Sequence, residues 1–135
     1  MLKGKKGYDF SYSGLKTAVI NYVHNKQQKG EEISISDVAR SFQCSAIDVI
    51  VEKTVMAVKE FGYKTVTVGG GVGANTYLRE SLQNALNKLG VKLVLPPKNL
   101  CTDNAGMIGA EGYIQYINNN FADLTLNAKA SVNLE

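Results

Sequence analysis

Two turns hold most of the residues in this chain that could do chemistry. The run Thr65-Val66-Thr67-Val68 leads into Gly69-Gly70-Gly71-Val72-Gly73-Ala74-Asn75, and a later turn reads Cys101-Thr102-Asp103-Asn104-Ala105. The β-branched run predicts a buried strand, and glycines after it let the backbone approach a ligand closely. A helix starting there would turn its free N–H groups toward an anion. The implied chemistry is backbone cradling of a nucleotide phosphate. No Gly-Lys-Ser/Thr follows, so this is not a P-loop, and the dinucleotide spacing with its downstream acid is missing too. A tight strand-to-helix turn capped by Asn75 explains the same residues without any ligand.

Asp103 has two readings as well. In one, Thr102 caps a helix and Asp103 is a carboxylate stabilised by the helix dipole. In the other, Asp103 follows the second strand at the carboxyl edge of the sheet, where open α/β sheets bind ligands, and it holds a metal or a phosphate-bound ion. A transition-metal site normally adds imidazoles. His24 is the sole histidine, and its place late in a polar helix end predicts a solvent-exposed side chain. The segment Tyr8-Asp9-Phe10-Ser11-Tyr12-Ser13-Gly14-Leu15-Lys16-Thr17 is rich in hydroxyls that could order a ligand, with Ser13 equally suited to capping a helix. Cys101 could be a reactive thiol near a helix start, though a buried, inert thiol is the commoner case.

These residues need a scaffold. Helical spacing of Leu15, Val19, Tyr22 and Val23 predicts a first helix from Ser13 to the polar run ending at Gly30. A long helix from Ser36 to about Phe61 follows, stopped by Gly62. Lys64 to Val68 reads as strand and Asn75 to Leu89 as a helix on a Leu78, Leu82, Leu86, Leu89 stripe. Val91 to Leu95 reads as a second strand closed by Pro96-Pro97. The last helix is expected from Thr102 to about Asn118, with Tyr113, Ile114 and Ile117 on its apolar face. Ala105, Gly106, Gly109, Ala110 and Gly112 give it a small-residue side suited to close packing. The order α-α-β-α-β-α predicts an α/β domain with a parallel pair and a right-handed crossover.

At 135 residues and 44% hydrophobic content the chain suits one domain with one core. A formal charge of +3 is compatible with nucleic-acid contact without requiring it. Two cysteines without CxxC spacing point to a reducing, cytoplasmic setting. No stretch approaches the roughly 20 apolar residues of a membrane span, and no membrane association is expected. Residues 1–7 read as a flexible lead, 8–123 as the folded part and 124–135 as a tail in which Leu134-Glu135 resembles a cloning scar. Two parallel strands alone leave open edges, which predicts either missing neighbours or a homodimer.

Three ordered motifs resemble one family. Phe10-Ser11-Tyr12-Ser13-Gly14-Leu15-Lys16-Thr17, then Gly69 to Asn75 with Leu78-Arg79, then Cys101-Thr102-Asp103-Asn104-Ala105-Gly106-Met107-Ile108 look like the tRNA threonylcarbamoyladenosine transferase family, TsaD, formerly called glycoproteases. The resemblance runs from about Tyr8 to Asp123 and covers the family's carboxy-terminal portion. It implies part of an actin-like fold, shared with sugar kinases and chaperone ATPases. It further implies transfer of a threonylcarbamoyl group from threonylcarbamoyl adenylate to an anticodon-loop adenosine of tRNA, inactive without the amino-terminal half. By that resemblance Asn75 would hold the adenylate or ATP, Gly69, Gly70 and Gly71 would line the nucleotide, and Asp103 would be one ligand of a divalent metal, iron or zinc. The other metal ligands, a histidine pair spaced HxxxH, would lie in the missing half, and accessory proteins of the modification complex would be partners. Family loops often have serine where Gly73 stands and alanine where Gly106 stands.

Two other classes fit the residues. One is half of a sugar-kinase-like or chaperone-like ATPase, since such glycine loops recur across that fold. The other is a non-catalytic interaction module whose glycine loop is only a turn. A protease is the weakest reading, because no HExxH or nucleophile-base pair is visible.

Overall fold

The computed structural model describes residues 7–128, and the chain divides into two compact units, one ending at Cys101 and one beginning at Thr102. Residues 1–6 of the expected lead and 129–135 of the expected tail lie outside the described residues. Gly7, the last residue of that lead, is tied down: the ammonium of the buried Lys53 donates to its carbonyl oxygen at 2.6 Å.

The first unit opens with α1 (Ser13–Gln28) and α2 (Ile35–Phe61). Ser13 is the first helical residue of α1 rather than its cap. Tyr12 holds the cap position in αR conformation with no side-chain bond, and the Ser13 hydroxyl pairs with Ser11 Oγ at 2.9 Å. The start of α2 also lies slightly earlier than the apolar spacing suggests. Ser34, in extended conformation, accepts from the Asp37 amide and so caps the helix ahead of Ile35. At its far end Gly62 takes φ 69°, ψ 22°, the left-handed closing residue expected of a glycine there.

β1 (Thr65–Thr67) and β2 (Lys92–Val94) pair in parallel, with Thr65 opposite Lys92, Val66 opposite Leu93 and Thr67 opposite Val94. Both strands are shorter than the apolar runs that encode them. Pairing nonetheless reaches one residue further at each end, through Lys92 N to Lys64 O at 2.9 Å and Val68 N to Val94 O at 3.1 Å. The crossover is α3 (Thr76–Asn87). Its Leu78, Leu82 and Leu86 are all buried and meet α2 in two clusters, one with Ile47 and one with Val58 and Val91. Leu93 packs against both clusters and Val66 against the second, so these central strand residues form the floor of the core.

Among the described residues of the first unit, the core covers one face of the sheet. Thr65 and Thr67 of β1, and Lys92 and Val94 of β2, point away from the core and are exposed. Parallel strands usually have helices on both faces.

The second unit carries α4 (Ala105–Ile117). Asn104, not Thr102, caps it: extended at φ −151°, ψ 154°, its Oδ1 accepts from the Met107 amide at 3.1 Å. An asparagine satisfies the N3 donor as well as a threonine does, and it moves the helix start three residues beyond Thr102. Asp103 therefore precedes the cap and does not lie in the first turn. Nothing on α4 is buried, and Tyr113, Ile114 and Ile117 of its expected apolar face are 65%, 48% and 54% exposed.

Candidate functional site

Because β1 and β2 are parallel, the segments that leave them emerge at the same carboxyl edge, the usual ligand edge of an open α/β sheet. After β1 come Val68, Gly69 and Gly70, then a single 3-10 turn over Gly71–Ala74. Gly70 has φ 83°, ψ 165°, which a side-chain-bearing residue reaches only under strain. That conformation swings the chain from strand into turn. Gly69 differs, because its φ is ordinary and a Cβ there would meet nothing within 4 Å. Its lack of a side chain leaves open surface. Gly71 is exposed as well. The 3-10 turn closes with Gly73 N to Gly70 O at 2.9 Å and Asn75 N to Val72 O at 3.0 Å, which leaves the Gly71 and Val72 amides outside its own bonding pattern.

Asn75 is the hinge between turn and helix. Its Oδ1 accepts from the Leu78 amide at 3.0 Å, the capping role its sequence position suggests. Its Nδ2 donates to Gln43 Oε1 on α2 at 3.1 Å. Tyr77, two residues on, donates its hydroxyl to Asp48 Oδ1 at 3.2 Å, a second tie between α3 and α2. A hydrogen bond to Cys44 and the negative charge of Asp48 push the Tyr77 phenol above its ordinary range.

After β2 the chain passes Leu95, Pro96 and Pro97 into a 3-10 turn over Lys98–Leu100 and reaches the buried Cys101. Two side chains join this exit to the glycine turn and α3. Lys98 Nζ donates to Thr76 Oγ1 at 2.7 Å. Arg79 donates from Nε to Gly73 O at 2.6 Å, and from Nη2 to Pro96 O at 2.5 Å and to Cys101 Sγ at 3.2 Å. The sequence motif contained Arg79, yet residue type and spacing alone assigned it no role. Its partners are two carbonyls and a thiol on segments that only the fold brings together.

The structure thus gathers Gly69, Gly70, Gly71, Asn75 and Arg79 along one edge of the first unit. Asp103 is exposed and belongs to the second unit, next to the Asn104 cap. Among the described residues no group of three or more His, Cys, Asp or Glu could hold a metal ion. A zinc site normally takes four ligands, and three from protein even where one position stays open. Asp103 can give one oxygen ligand, so the residues described here do not make a metal centre by themselves. His24 is exposed, as its helix-end position suggests. Ser11, Ser13 and Thr17 are also exposed, and the Thr17 hydroxyl donates to the Ser13 carbonyl at 3.1 Å. No described helix is long and apolar enough to cross a membrane.

Known proteins resemble this chain over most of its length. Residues 1–110 match the family model described as TsaD: tRNA N6-adenosine threonylcarbamoyltransferase. Proteins named tRNA N6-adenosine threonylcarbamoyltransferase include one from Geobacillus kaustophilus, 52% identical over 128 residues, which are 94% of this chain and 37% of that protein. One from Halalkalibacterium halodurans is 50% identical over 128 residues, 95% of this chain and 37% of that protein. A third, from Enterococcus faecalis, is 48% identical over 134 residues, 98% and 38% respectively. The chain spans somewhat over a third of the length of these relatives.

Proposed function

The chain belongs to the tRNA N6-adenosine threonylcarbamoyltransferase family, whose actin-like fold its α/β architecture enters as a part, and from that premise we propose that it forms the nucleotide-holding portion of such a transferase. The reaction would move a threonylcarbamoyl group from threonylcarbamoyl adenylate to an adenosine of the tRNA anticodon loop. Membership over residues 1–110 carries this reading. The carboxyl-edge turn supplies it with a physical site, because open glycine backbone at Gly69 and unpaired turn amides suit a nucleotide phosphate.

The residue roles are those that the family resemblance implies. Gly69, Gly70 and Gly71 would line the nucleotide with backbone alone. Asn75 would hold the adenylate with the amide N–H that neither the cap nor Gln43 uses, its orientation fixed by both of those bonds. Asp103 would give one ligand to a divalent metal, iron or zinc, completed by residues from outside this chain.

Catalysis would require the remainder of the family's chain, which we place on the amino-terminal side, and tRNA would be the acceptor. The exposed face of the sheet and the exposed apolar side chains of α4 suit a covering partner, whether that remainder, accessory proteins of a modification complex or a second copy. A cytoplasmic setting agrees with a tRNA substrate.

Reconstitution tests the reading. The chain is mixed with the separately produced remainder of a full-length relative, tRNA and threonylcarbamoyl adenylate, and the modified adenosine is read by mass spectrometry. Modification in the mixture and not with the chain alone is expected. Modification by the isolated chain as fast as by the full-length relative would contradict the proposal, as would an inert mixture beside an active relative.

A further inference from the structure

We infer that Arg79 is a positioning residue, which clamps the glycine turn to the exit of the second strand and so fixes the backbone that a nucleotide phosphate would meet. The inference rests on the nucleotide reading above.

Four of the five residues from Gly69 to Gly73 are glycine. Glycines permit the close approach of a ligand, but they lose the most backbone freedom on ordering. A turn of this composition stays loose unless something outside it holds it. Arg79, on the first turn of α3, does so through its guanidinium. Its Nε takes the Gly73 carbonyl at 2.6 Å, while Nη2 takes the Pro96 carbonyl at 2.5 Å and the Cys101 sulfur at 3.2 Å. The Cys101 thiol in turn reaches the Pro97 carbonyl at 3.5 Å. Pro96 and Cys101 lie 17 and 22 residues from Arg79, so one guanidinium joins segments that no local element connects.

The chemistry asks for arginine. Three acceptors in different directions suit a planar fork of fixed donors, whereas a lysine offers one compact ammonium. None of the three acceptors is an acid, so none of these bonds neutralises the guanidinium's positive charge. A positive charge bonded to the turn favours an anion near it. Packing beside the clamp is close: a Cβ on the buried Gly73 would sit 3.3 Å from Val68 Cγ1 and 3.7 Å from Cys101 Sγ. Small displacements of the turn are therefore resisted from that side and allowed only if the clamp opens.

Cys101 reports on the clamp directly, because it is buried and its thiol is bonded to Arg79, while the half-buried Cys44 on α2 serves as an internal reference. The test uses the whole chain as wild type, Arg79→Met, Arg79→Lys and the core control Val58→Ala. Alkylation of each cysteine by iodoacetamide is followed by mass spectrometry, and ATP affinity is measured in mixture with the remainder of a relative. Arg79→Met should speed Cys101 relative to Cys44 and weaken ATP binding, each by about tenfold, the equivalent of one charged hydrogen bond. Arg79→Lys should fall between the two. Val58→Ala, which loosens the core far from the turn, should speed both cysteines alike and leave ATP affinity per folded molecule unchanged.

The inference is overturned if Arg79→Met leaves Cys101 protected, if Val58→Ala reproduces its pattern, or if Cys101 opens while ATP affinity holds. Absence of ATP binding by the wild type in the mixture would instead sink the nucleotide reading and the phosphate half of the inference with it. The alkylation ratio would still decide whether Arg79 clamps the turn.

Discussion

Asn75 Nδ2 and Gln43 Oε1 lie 3.1 Å apart, so the residue that caps α3 is also fastened to α2. Capping alone needs only the oxygen of the amide, which the Leu78 N–H occupies. Bonding both ends fixes the plane of the side chain, as a group that must meet a ligand in one orientation requires. Asn75→Ala should cost about 1 kcal/mol from the lost cap and should also abolish nucleotide binding. Gln43→Leu keeps the cap and removes the orienting bond. It should leave urea stability within about 0.5 kcal/mol of wild type and weaken nucleotide affinity several-fold. Paired urea melts and calorimetry separate the two effects.

The glycines make different demands. Gly70→Ala forces a side chain into a left-handed φ of 83° and should destabilise by about 1–3 kcal/mol in a urea melt. Gly69→Ala meets neither strain nor a neighbour. Its stability should change by less than about 0.5 kcal/mol, while nucleotide affinity should fall because the added methyl occupies the ligand's approach. Loss of stability at Gly69 without loss of affinity would reduce that position to a structural turn.

Alkaline pH should loosen α3 from α2. The Tyr77 phenol is raised above its ordinary value of about 10, so the folded state favours its protonated form. Its contribution is complete below about pH 10 and is lost as pH rises through the higher folded value. Tyr77→Phe should remove that component from a stability profile taken between about pH 9 and 12. Spectrophotometric titration should show one tyrosine fewer ionising late.

Leu86 has no exposed surface and anchors the second core cluster with Val58 and Val91. Leu86→Ala should cost about 2–5 kcal/mol, enough to unfold much of a small domain whose sheet is covered on one face. Circular dichroism would register the loss. A nearly unchanged melt would mean that this cluster does not carry the fold.

Much of the scaffold was legible because periodicity reports burial. The Gly62 stop and three of the four stripe leucines, Leu78, Leu82 and Leu86, match the helices, whereas Leu89 lies beyond the end of α3 at Asn87 and is exposed. Element starts were less legible, since several residues in a row can cap: Ser34 stands two residues before the expected start at Ser36, and Asn104 two residues after Thr102. Pattern reading marked the glycine turn and Asn75, both of which are local in sequence. It gave Arg79 no role, because its acceptors are carbonyls and a sulfur whose identities are almost irrelevant to the bond and whose proximity arises only from parallel pairing. The place of Asp103 as a metal ligand rests on family resemblance, and no neighbouring acids or imidazoles in the sequence could have indicated it.

The central claim is that this chain carries one side of a split nucleotide site, and calorimetric titration of ATP and an adenylate analogue tests it most directly. The chain is titrated alone, mixed with the remainder of a full-length relative, and mixed again as Asn75→Ala. Binding in the wild-type mixture that disappears with Asn75→Ala is the predicted result. No binding in the mixture, or binding untouched by the substitution, would contradict the account and leave the glycine run as a strand-to-helix turn.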